Sequence, residues 1–268
     1  MSDLISDIRS GKYTKIVILS GAGVSVNSGI PDYRSSNGIF SKLVSHFPQA
    51  SRPETIFSRS FVNRYPEVFD HPLYLEFLEQ MKDAQPTTAH QLALWLHEKG
   101  WLHRVFTQNV DGLYQKAGLP EEMVVEFHGS FLKGDIVMYG DGISHKVLER
   151  VNEDLIEQHK DIDLVIVMGT SLQVAPFLAL PNIPSKKCCR VLVDKQPQNC
   201  YTNNWTPKRS SIMEMCDYQN NSILTTTMKL GNRKISLQAQ WNPRGKWKNQ
   251  HIITSDCDAW SEQIIQSD

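Results

Sequence analysis

A glycine-rich turn near the start of the sequence could hold a phosphate group. Gly21, Ala22 and Gly23 directly follow the apolar run at 15–20 (KIVILS). Backbone N–H groups at such a strand-to-helix turn can bind phosphate oxygens. Many turns use glycine, however, and Val26 stands where the third glycine of a dinucleotide-binding fingerprint is expected. The turn by itself is a weak sign of a nucleotide site.

A short segment after this turn, residues 31–34 (PDYR), places a carboxylate, a phenol and a guanidinium where a regular helix would continue. Pro31 interrupts a long helix, so the segment predicts a loop. Arg34 on that loop could bind phosphate or ribose oxygens. The alternative is a solvated loop with a surface ion pair, and the segment in isolation favours this alternative.

Polar residues also end two later apolar runs. Residues 107–111 (TQNVD) carry side chains that could bond ribose hydroxyls and a carboxamide. The alternative for them is a helix cap at Asn109 or Asp111. His128 ends the next predicted strand, where a histidine can act as a general base at neutral pH. A lone histidine is more often structural, which is the interpretation given to His90, His97 and His103.

Apolar strands that alternate with helices would position these residues. Strands are predicted at 15–20, 102–109, 123–129, 135–141, 163–171 and 188–194. Helices are predicted near 4–11, at 87–100, 110–118, 146–160 and 258–266, and as proline-punctuated pieces over 36–86. Such alternation indicates an α/β fold, a Rossmann-like parallel sheet with helices on both faces. Ligands of such sheets lie beyond the carboxyl ends of the strands.

The composition is that of an ordinary globular protein. The chain has 268 residues, 40% of them hydrophobic, and a formal net charge of −1. This charge gives no general attraction to nucleic acid or membranes. No apolar run approaches the roughly 20 residues that cross a bilayer, and residues 1–15 lack a signal-peptide core. The sequence therefore predicts an intracellular protein, cytoplasmic or nuclear.

The polar stretches, taken together and in order, resemble the sirtuins, the family of NAD-dependent protein deacylases. A set of motifs in one order is far more specific than any single motif. The matching segments are GAGVS (21–25), SGIPDYRS (28–35), TQNVDGL (107–113), EFHGSF (126–131), IVMYGD (136–141), GTSLQVAP (169–176) and DCD (256–258).

The resemblance implies a division of the chain. An NAD-binding Rossmann-like domain would comprise residues 1–35, 87–130 and 160–268, with a reduced helical module at 36–86. Residues 131–148 would be a shortened remnant of the family's zinc-binding region. Residues 203–250 would be an insertion of unassigned role, within which 222–230 and 234–241 could pair as a hairpin.

The resemblance also implies roles for individual residues. The catalytic residues would be His128, which acts as the general base, and Asn109. Ile30, Asp32, Asn109 and Asp111 would form the nicotinamide pocket. The full set expected to contact NAD is Gly21, Ala22, Gly23, Val24, Ser25, Ile30, Asp32, Tyr33, Arg34, Gln108, Asn109, Val110, Asp111, Gly169, Thr170, Ser171, Asp194, Lys195, Gln196 and Cys257.

The implied reaction moves an acyl group from a protein lysine to ADP-ribose. Nicotinamide leaves C1′ of the ribose, the acyl oxygen traps the cationic carbon, and His128 takes a proton from the ribose hydroxyl relay. That oxygen then attacks the trapped acyl carbon, and water completes the transfer, which gives free lysine and O-acyl-ADP-ribose. Water must be excluded, because NAD would otherwise be hydrolysed. The peptide is expected to add as a strand between residues 136–141 and the segment after 169–173.

The sequence departs from the family pattern after His128. Sirtuins usually carry a zinc ribbon with two cysteine pairs there, whereas this chain has no cysteine before residue 188. The five cysteines contain no C-x-x-C pair and predict neither a disulfide framework nor a zinc site. No structural zinc is therefore expected. Smaller departures are Tyr33 for the usual Phe, Asp194 for Asn and Gln196 for an acid.

Three functions follow from these residues. Deacylation is favoured, with a neutral acyl group (acetyl or longer), because 35–43 lacks the Tyr and Arg spacing that binds acidic acyl groups. Because the zinc ribbon is missing, the second possibility is an NAD glycohydrolase or a mono-ADP-ribosyltransferase. An acyl peptide would not stimulate nicotinamide release by such an enzyme. A non-catalytic NAD- or ADP-ribose-binding module is the third, opposed by the intact Asn109, Asp111 and His128. Neither a membrane nor direct nucleic-acid binding is expected.

Overall fold

A six-stranded, fully parallel sheet forms the centre of the protein. The computed structural model describes residues 2–30, 38–197, 227–230, 233–236 and 249–266. The strands of the sheet are β1 (Ile16–Ser20), β2 (Leu102–Thr107), β3 (Val124–Glu126), β4 (Leu164–Met168), β5 (Cys189–Asp194) and β8 (Gln250–Thr254). They lie in the order β3-β2-β1-β4-β5-β8. This confirms the predicted α/β fold with a Rossmann-like sheet.

Helices cover both faces of the sheet. Strands β1 and β4 are buried along their whole length, as continuous apolar runs predict. One face packs on α1 (Ser2–Arg9), α5 (Thr88–Glu98) and α8 (Cys257–Ile265), with Trp260 fully buried. The other face packs on α7 (His145–Val151), a π-helix (Asn152–Glu157) and a 3₁₀-helix (Phe177–Asn182). A short α6 (Leu113–Lys116) follows the β2 loop.

A third apolar cluster lies outside the sheet, in the helical pieces predicted over 36–86. These are α2 (Ile39–Val44), α3 (Arg59–Arg64) and α4 (Pro72–Asp83), with 3₁₀ turns at Pro53–Phe57 and Pro66–Asp70. Proline begins α4 and both turns, where its missing N–H costs nothing. Ile30, Val110 and Leu113 pack into this cluster, so it reaches the loops after β1 and β2. The proposed domain boundaries stay a prediction.

The structure contradicts two of the predicted elements. Residues 135–141 form no strand; Tyr139 makes a single bridge to Ser58, because its backbone bonds go to residues 57 and 59. The helix predicted at 146–160 is α-helical only to Val151 and continues as a π-helix to Glu157. Strand β8 was not predicted.

The remaining boundaries differ by a few residues. β2 stops at Thr107 and β3 at Glu126, so the polar residues that follow them lie on loops. The hairpin is confirmed within the described backbone, since β6 (Thr227–Leu230) pairs antiparallel with β7 (Arg233–Ser236). The rest of 203–250 up to residue 248 lies outside the described residues. No helix of the described part is long and apolar enough to cross a membrane.

Candidate active site

The predicted polar stretches meet at the carboxyl edge of the sheet, where β1 lies between β2 and β4. The chain runs outward in opposite directions from these central strands, which opens a crevice in sheets of this kind. Residues 21–30 leave β1, residues 108–111 leave β2, and residues 169–172 leave β4. Three separate segments of the sequence therefore contribute to one cleft.

Glycines allow the loops after β1 and β4 to touch. The Gly23 amide donates to Gly169 O at 2.8 Å. A Cβ on Gly23 would lie 2.6 Å from Gly169 Cα, and a Cβ on Gly169 would lie 2.5 Å from the Val24 nitrogen. Gly169 also has a φ of +61°, a backbone conformation that residues other than glycine rarely adopt. These glycines therefore let the two loops pack directly on each other, and the amides of Gly21 and Gly169 donate to Met168 O and Val193 O.

Asn109, Ser25 and Asp111 form a hydrogen-bonded chain inside the cleft. Asn109 Nδ2 donates to Ser25 Oγ at 3.0 Å, and Ser25 Oγ donates to Asp111 Oδ2 at 2.7 Å. The Leu113 amide donates to the other Asp111 oxygen at 3.0 Å. Burial raises the pKa of Asp111, and the Ser25 hydrogen bond opposes that rise. Val24 and Ser25 are buried with it, and the loop after β1 is thereby fixed to the loop after β2.

Asn109 keeps one acceptor that nothing in the described part of the chain satisfies. Its side chain is 3% exposed, and Oδ1 accepts no hydrogen bond from the described residues. An unsatisfied buried acceptor costs about 1–3 kcal/mol, so such atoms tend to have a role. A ligand N–H or hydroxyl at this point would satisfy it. This point of the cleft therefore fits a ligand that carries a carboxamide or a hydroxyl group.

His128 is held in one tautomer by the backbone of the neighbouring loop. Its Nδ1 lies 3.0 Å from Gln108 O, a carbonyl that can only accept, so Nδ1 carries the proton in the neutral ring. Nε2 then has the lone pair that a general base needs. Gln108 is itself fixed, because Thr170 Oγ1 donates to its Oε1 at 2.7 Å. Ser171 follows Thr170 on the loop after β4, half-buried.

An apolar cavity of about 170 Å³ adjoins Asn109 and His128. One side of it is formed by Ala22, Gln108 and Val110. Aromatic side chains of the helical module form much of the remainder, and the segment after His128 closes it. The aromatic and aliphatic residues that line it include Phe40, Phe57, Phe77, Val137, Met138 and Tyr139.

The residues expected around an adenosine lie together at the ends of β5 and β8. Asp194 ends β5, burial raises its pKa, and the Gln196 amide donates to its Oδ1 at 2.7 Å. Lys195 Nζ lies 2.7 Å from Asp256 Oδ2. Cys257 begins α8 with its Sγ 3.7 Å from Val193 O, and burial raises the pKa of its thiol to about 12. That thiol is neutral at pH 7 and donates a weak hydrogen bond to Val193 O.

The structure brings most of the predicted site residues to this edge of the sheet. Ile30 is buried against the helical module beside Val110. Asp32, Tyr33 and Arg34 lie outside the described residues, so their predicted contacts are untested. The three histidines assigned structural roles lie away from the cleft; His90, for example, caps α5 at Thr87 with Nδ1 3.1 Å from the Thr87 amide.

Sequence reasoning missed several residues that anchor the site. Asn27 Nδ2 donates to Asp256 Oδ1 at 3.1 Å and to Asp258 Oδ2 at 2.7 Å. Thr87 Oγ1 donates to Val24 O at 2.9 Å. These contacts join the loop after β1 to α5 and α8. The acids at 256 and 258 could have indicated a polar partner for that loop, but the sequence carries no signal that selects Asn27.

The segment that follows His128 bears on the expected absence of zinc. Among the described residues, no group of three or more His, Cys, Asp or Glu side chains could hold a metal ion. Cys188, Cys189 and Cys257 are buried within the sheet and α8 rather than gathered near residue 130. Cys200 and Cys216 lie outside the described residues.

We expect purified protein to contain well under one zinc per chain by elemental analysis, with a melting temperature that EDTA does not lower. The physical reason is that zinc needs four clustered ligands, which residues 129–136 do not supply. One tightly held zinc per chain that Cys200→Ser or Cys216→Ser removes would contradict this expectation, whereas Cys188→Ser serves as the buried control.

Comparisons with known proteins agree with the geometry of the site. The Sir2 family model matches residues 21–135. The chain is 31% identical over 256 residues to the NAD-dependent protein deacetylase hst2 of Schizosaccharomyces pombe, covering 82% of this chain and 74% of that one. It is 30% identical over 227 residues to the NAD-dependent protein deacetylase sirtuin-2 of Danio rerio, covering 70% and 58%.

A solved Sir2 enzyme structure matches with a TM-score of 0.56 and 28% identity, covering 72% of this chain and 86% of the other. That match includes the parallel sheet whose edge carries the cleft. Identity over most of both chains, the family model and the common fold lead to one conclusion: the chain belongs to the Sir2 family, the sirtuins.

Proposed function

We propose that this chain is an NAD-dependent protein deacylase that removes neutral acyl groups from lysine side chains. The observation that carries the proposal is the pair formed by Asn109 and His128. An unsatisfied buried acceptor and a histidine held with its Nδ1 protonated line the same cavity. The named deacetylase relatives support the same reaction.

NAD fits the residues of the cleft. The turn at Ala22 and Gly23, which borders the cavity, would hold the pyrophosphate, and Thr170 with Gln108 would orient the ribose. Asn109 Oδ1, with Asp111 nearby, would face the nicotinamide carboxamide, whose N–H group supplies the hydrogen bond that Oδ1 lacks. Bound NAD would supply a glycosidic bond whose cleavage leaves an electrophilic ribose carbon.

The chain's own part in the chemistry is to hold groups in place and to move one proton. His128 Nε2 would take a proton from a ribose hydroxyl, while the Gln108 carbonyl keeps Nδ1 protonated and stabilises the imidazolium that forms. The apolar cavity would receive the acyl-lysine and exclude water. The products would be nicotinamide, free lysine and the O-acyl ester of ADP-ribose.

The wall of the cavity supports a neutral acyl group. Aromatic and aliphatic side chains form most of it, and Asp141 is the one carboxylate on it within the described part of the chain. Arg59 beside Asp141 holds the pKa of that carboxyl below its usual range, so it is charged at pH 7. No lysine or arginine lines the cavity within the described residues, so a carboxylate on the acyl group would be buried there without a counter-charge. The protein substrate and the intracellular location stay predictions.

The experiment is a mass-spectrometric product assay with NAD and an acetyl-lysine peptide. We expect nicotinamide and O-acetyl-ADP-ribose in equal amounts, formed only when the peptide is present. The same peptide with unmodified lysine is the control, and a succinyl-lysine peptide should react more slowly than the acetyl one. Free ADP-ribose at the same rate with and without peptide would overturn deacylation in favour of NAD hydrolysis, and covalent ADP-ribosylation of protein would favour transfer.

A further inference from the structure

The chain reaches the far wall of the cavity by a very short connection from His128. Only eight residues (129–136) separate His128 from Val137. The connection folds back on itself, because the Val137 amide donates to His128 O at 2.8 Å and the Ser130 amide donates to Asp135 Oδ1 at 2.7 Å. A Cβ on Gly129 would lie 2.1 Å from Asp135 O, so the fold of this turn depends on glycine. The catalytic histidine and residues 137–141 are thereby connected rigidly.

The other end of this segment is fixed to the helical module. The Tyr139 amide donates to Phe57 O at 3.0 Å, and the Arg59 amide donates to Tyr139 O at 2.8 Å. These two bonds use both backbone groups of Tyr139 and form the single bridge to Ser58. Met138 and Tyr139 line the cavity, so their placement sets its shape.

A bidentate ion pair also attaches residues 137–141 to the helical module. Arg59 Nε donates to Asp141 Oδ1 at 2.9 Å, and Arg59 Nη2 donates to Asp141 Oδ2 at 2.6 Å. The Met138 amide donates to the same Oδ2 at 2.9 Å. Asp141 therefore joins the guanidinium to the backbone of a cavity residue. Such parallel donation fixes direction as well as distance, which a single charge contact does not.

We propose that Arg59 is a positioning residue for the acyl-peptide, acting through Asp141 to hold Met138 and Tyr139 at a fixed distance from His128. The inference rests on the proposed deacylase function. The observations that carry it are local: residues 137–141 have no neighbouring strand in the described part of the chain. Their backbone is attached by the turn at 129–136 and by the contacts with residues 57–59, and the Tyr139 ring also packs against Phe40. Arg59 makes both a backbone and a side-chain contact there.

The test compares steady-state kinetics of Arg59→Gln, Arg59→Lys, Asp141→Asn and the double variant Arg59→Gln/Asp141→Asn. We expect Arg59→Gln to raise the KM for acetyl-lysine peptide about fivefold, since an exposed ion pair contributes up to about that factor. The KM for NAD and the kcat at saturating peptide should stay within about twofold of the wild-type values. Arg59→Lys keeps the positive charge but loses the two parallel N–H donors, so its KM for peptide should lie between those of the wild type and Arg59→Gln.

The matched control is Arg64→Gln, which removes an exposed arginine from the same helix. It should leave every kinetic constant unchanged. In the double variant, the effects should be less than additive, because both single changes break one pair. A wild-type KM for peptide in Arg59→Gln, or equal changes for NAD and peptide, would overturn the positioning role. Absence of peptide-dependent product in the wild-type protein would instead reject the deacylase function.

Discussion

Replacing His128 by alanine is expected to lower the turnover number for acyl-peptide deacylation by about 10²- to 10⁴-fold, the range that a general base contributes. The structure gives the reason: the Gln108 carbonyl holds Nδ1 in the donor state, which leaves Nε2 as the basic atom in a cleft that also contains Asn109. No other histidine lines this cavity among the described residues. The measurement is single-turnover product formation at saturating NAD and peptide.

The binding of NAD provides the internal check on this prediction. The imidazole contacts the backbone carbonyl of Gln108, whereas Thr170 Oγ1 donates to the Gln108 side chain and the glycines pack against the loop after β4. We therefore expect His128→Ala to change the dissociation constant for NAD by less than about threefold, while chemistry is lost. His145→Ala is the matched control, because that ring is 86% exposed on α7. Turnover within fivefold of the wild-type value in His128→Ala would remove His128 from the role of base.

The sequence predicted the central sheet well because its strands are buried on both faces. Val17, Leu19, Val165 and Val167 lie in one continuous apolar cluster, and such runs can be recognised without knowing their partners. Strand β8 was missed because it is an edge strand with alternating burial, and it follows a segment rich in turn residues. An edge strand of five residues carries little pattern of its own.

The error at 135–141 has a different physical origin. Ile136, Val137 and Tyr139 have strand-forming side chains, but a strand needs a neighbour for its backbone groups. Tyr139 instead bonds to Phe57 and Arg59. Their separation from Tyr139 in the sequence hides the pairing, as it hides the Arg59–Asp141 ion pair.

The candidate site divides in the same way between what local sequence determines and what it does not. Gly21, Gly23 and Gly169 were found from the turn that follows a buried strand, which is a local signal. The Ser25 link between Asn109 and Asp111, and the anchoring of the loop by Asn27, join residues more than 80 positions apart. Only the folded chain reveals which polar atoms are satisfied, and therefore that Asn109 Oδ1 is not.

The π-helix at Asn152–Glu157 accompanies a buried ion pair that the sequence did not predict. Arg104 Nε lies 2.7 Å from Asp154 Oδ2, and Arg104 Nη2 donates to Asp154 Oδ1 at 3.1 Å. Arg104 is 8% exposed and Asp154 is 3% exposed. Arg104 also donates to the Glu122 carbonyl, so β2, the π-helix and the turn before β3 meet at one guanidinium. A wider helical turn such as this one often marks a special local requirement.

Asp154→Ala is expected to lower the free energy of unfolding by about 3–5 kcal/mol, because it leaves the buried Arg104 guanidinium without its counter-charge. Urea denaturation followed by circular dichroism measures it. Glu153→Ala is the neighbouring control: its exposed pair with Arg150 should contribute no more than about 1 kcal/mol. A loss for Asp154→Ala as small as that of the control would show that water and the Glu122 carbonyl are enough to stabilise the unpaired Arg104 guanidinium.

The double variant Arg104→Met/Asp154→Leu distinguishes the destabilisation caused by an unpaired buried charge from the net contribution of the ion pair to the free energy of unfolding. Two apolar side chains of similar volume need no desolvation of charge, so we expect the double variant to recover most of the stability lost in Asp154→Ala. If stability recovers, the ion pair contributes little net stability, and its main role is to fix where the π-helix packs on β2. An equally unstable double variant would mean that the pair itself stabilises the fold, through the carbonyl contacts that Arg104 alone can make.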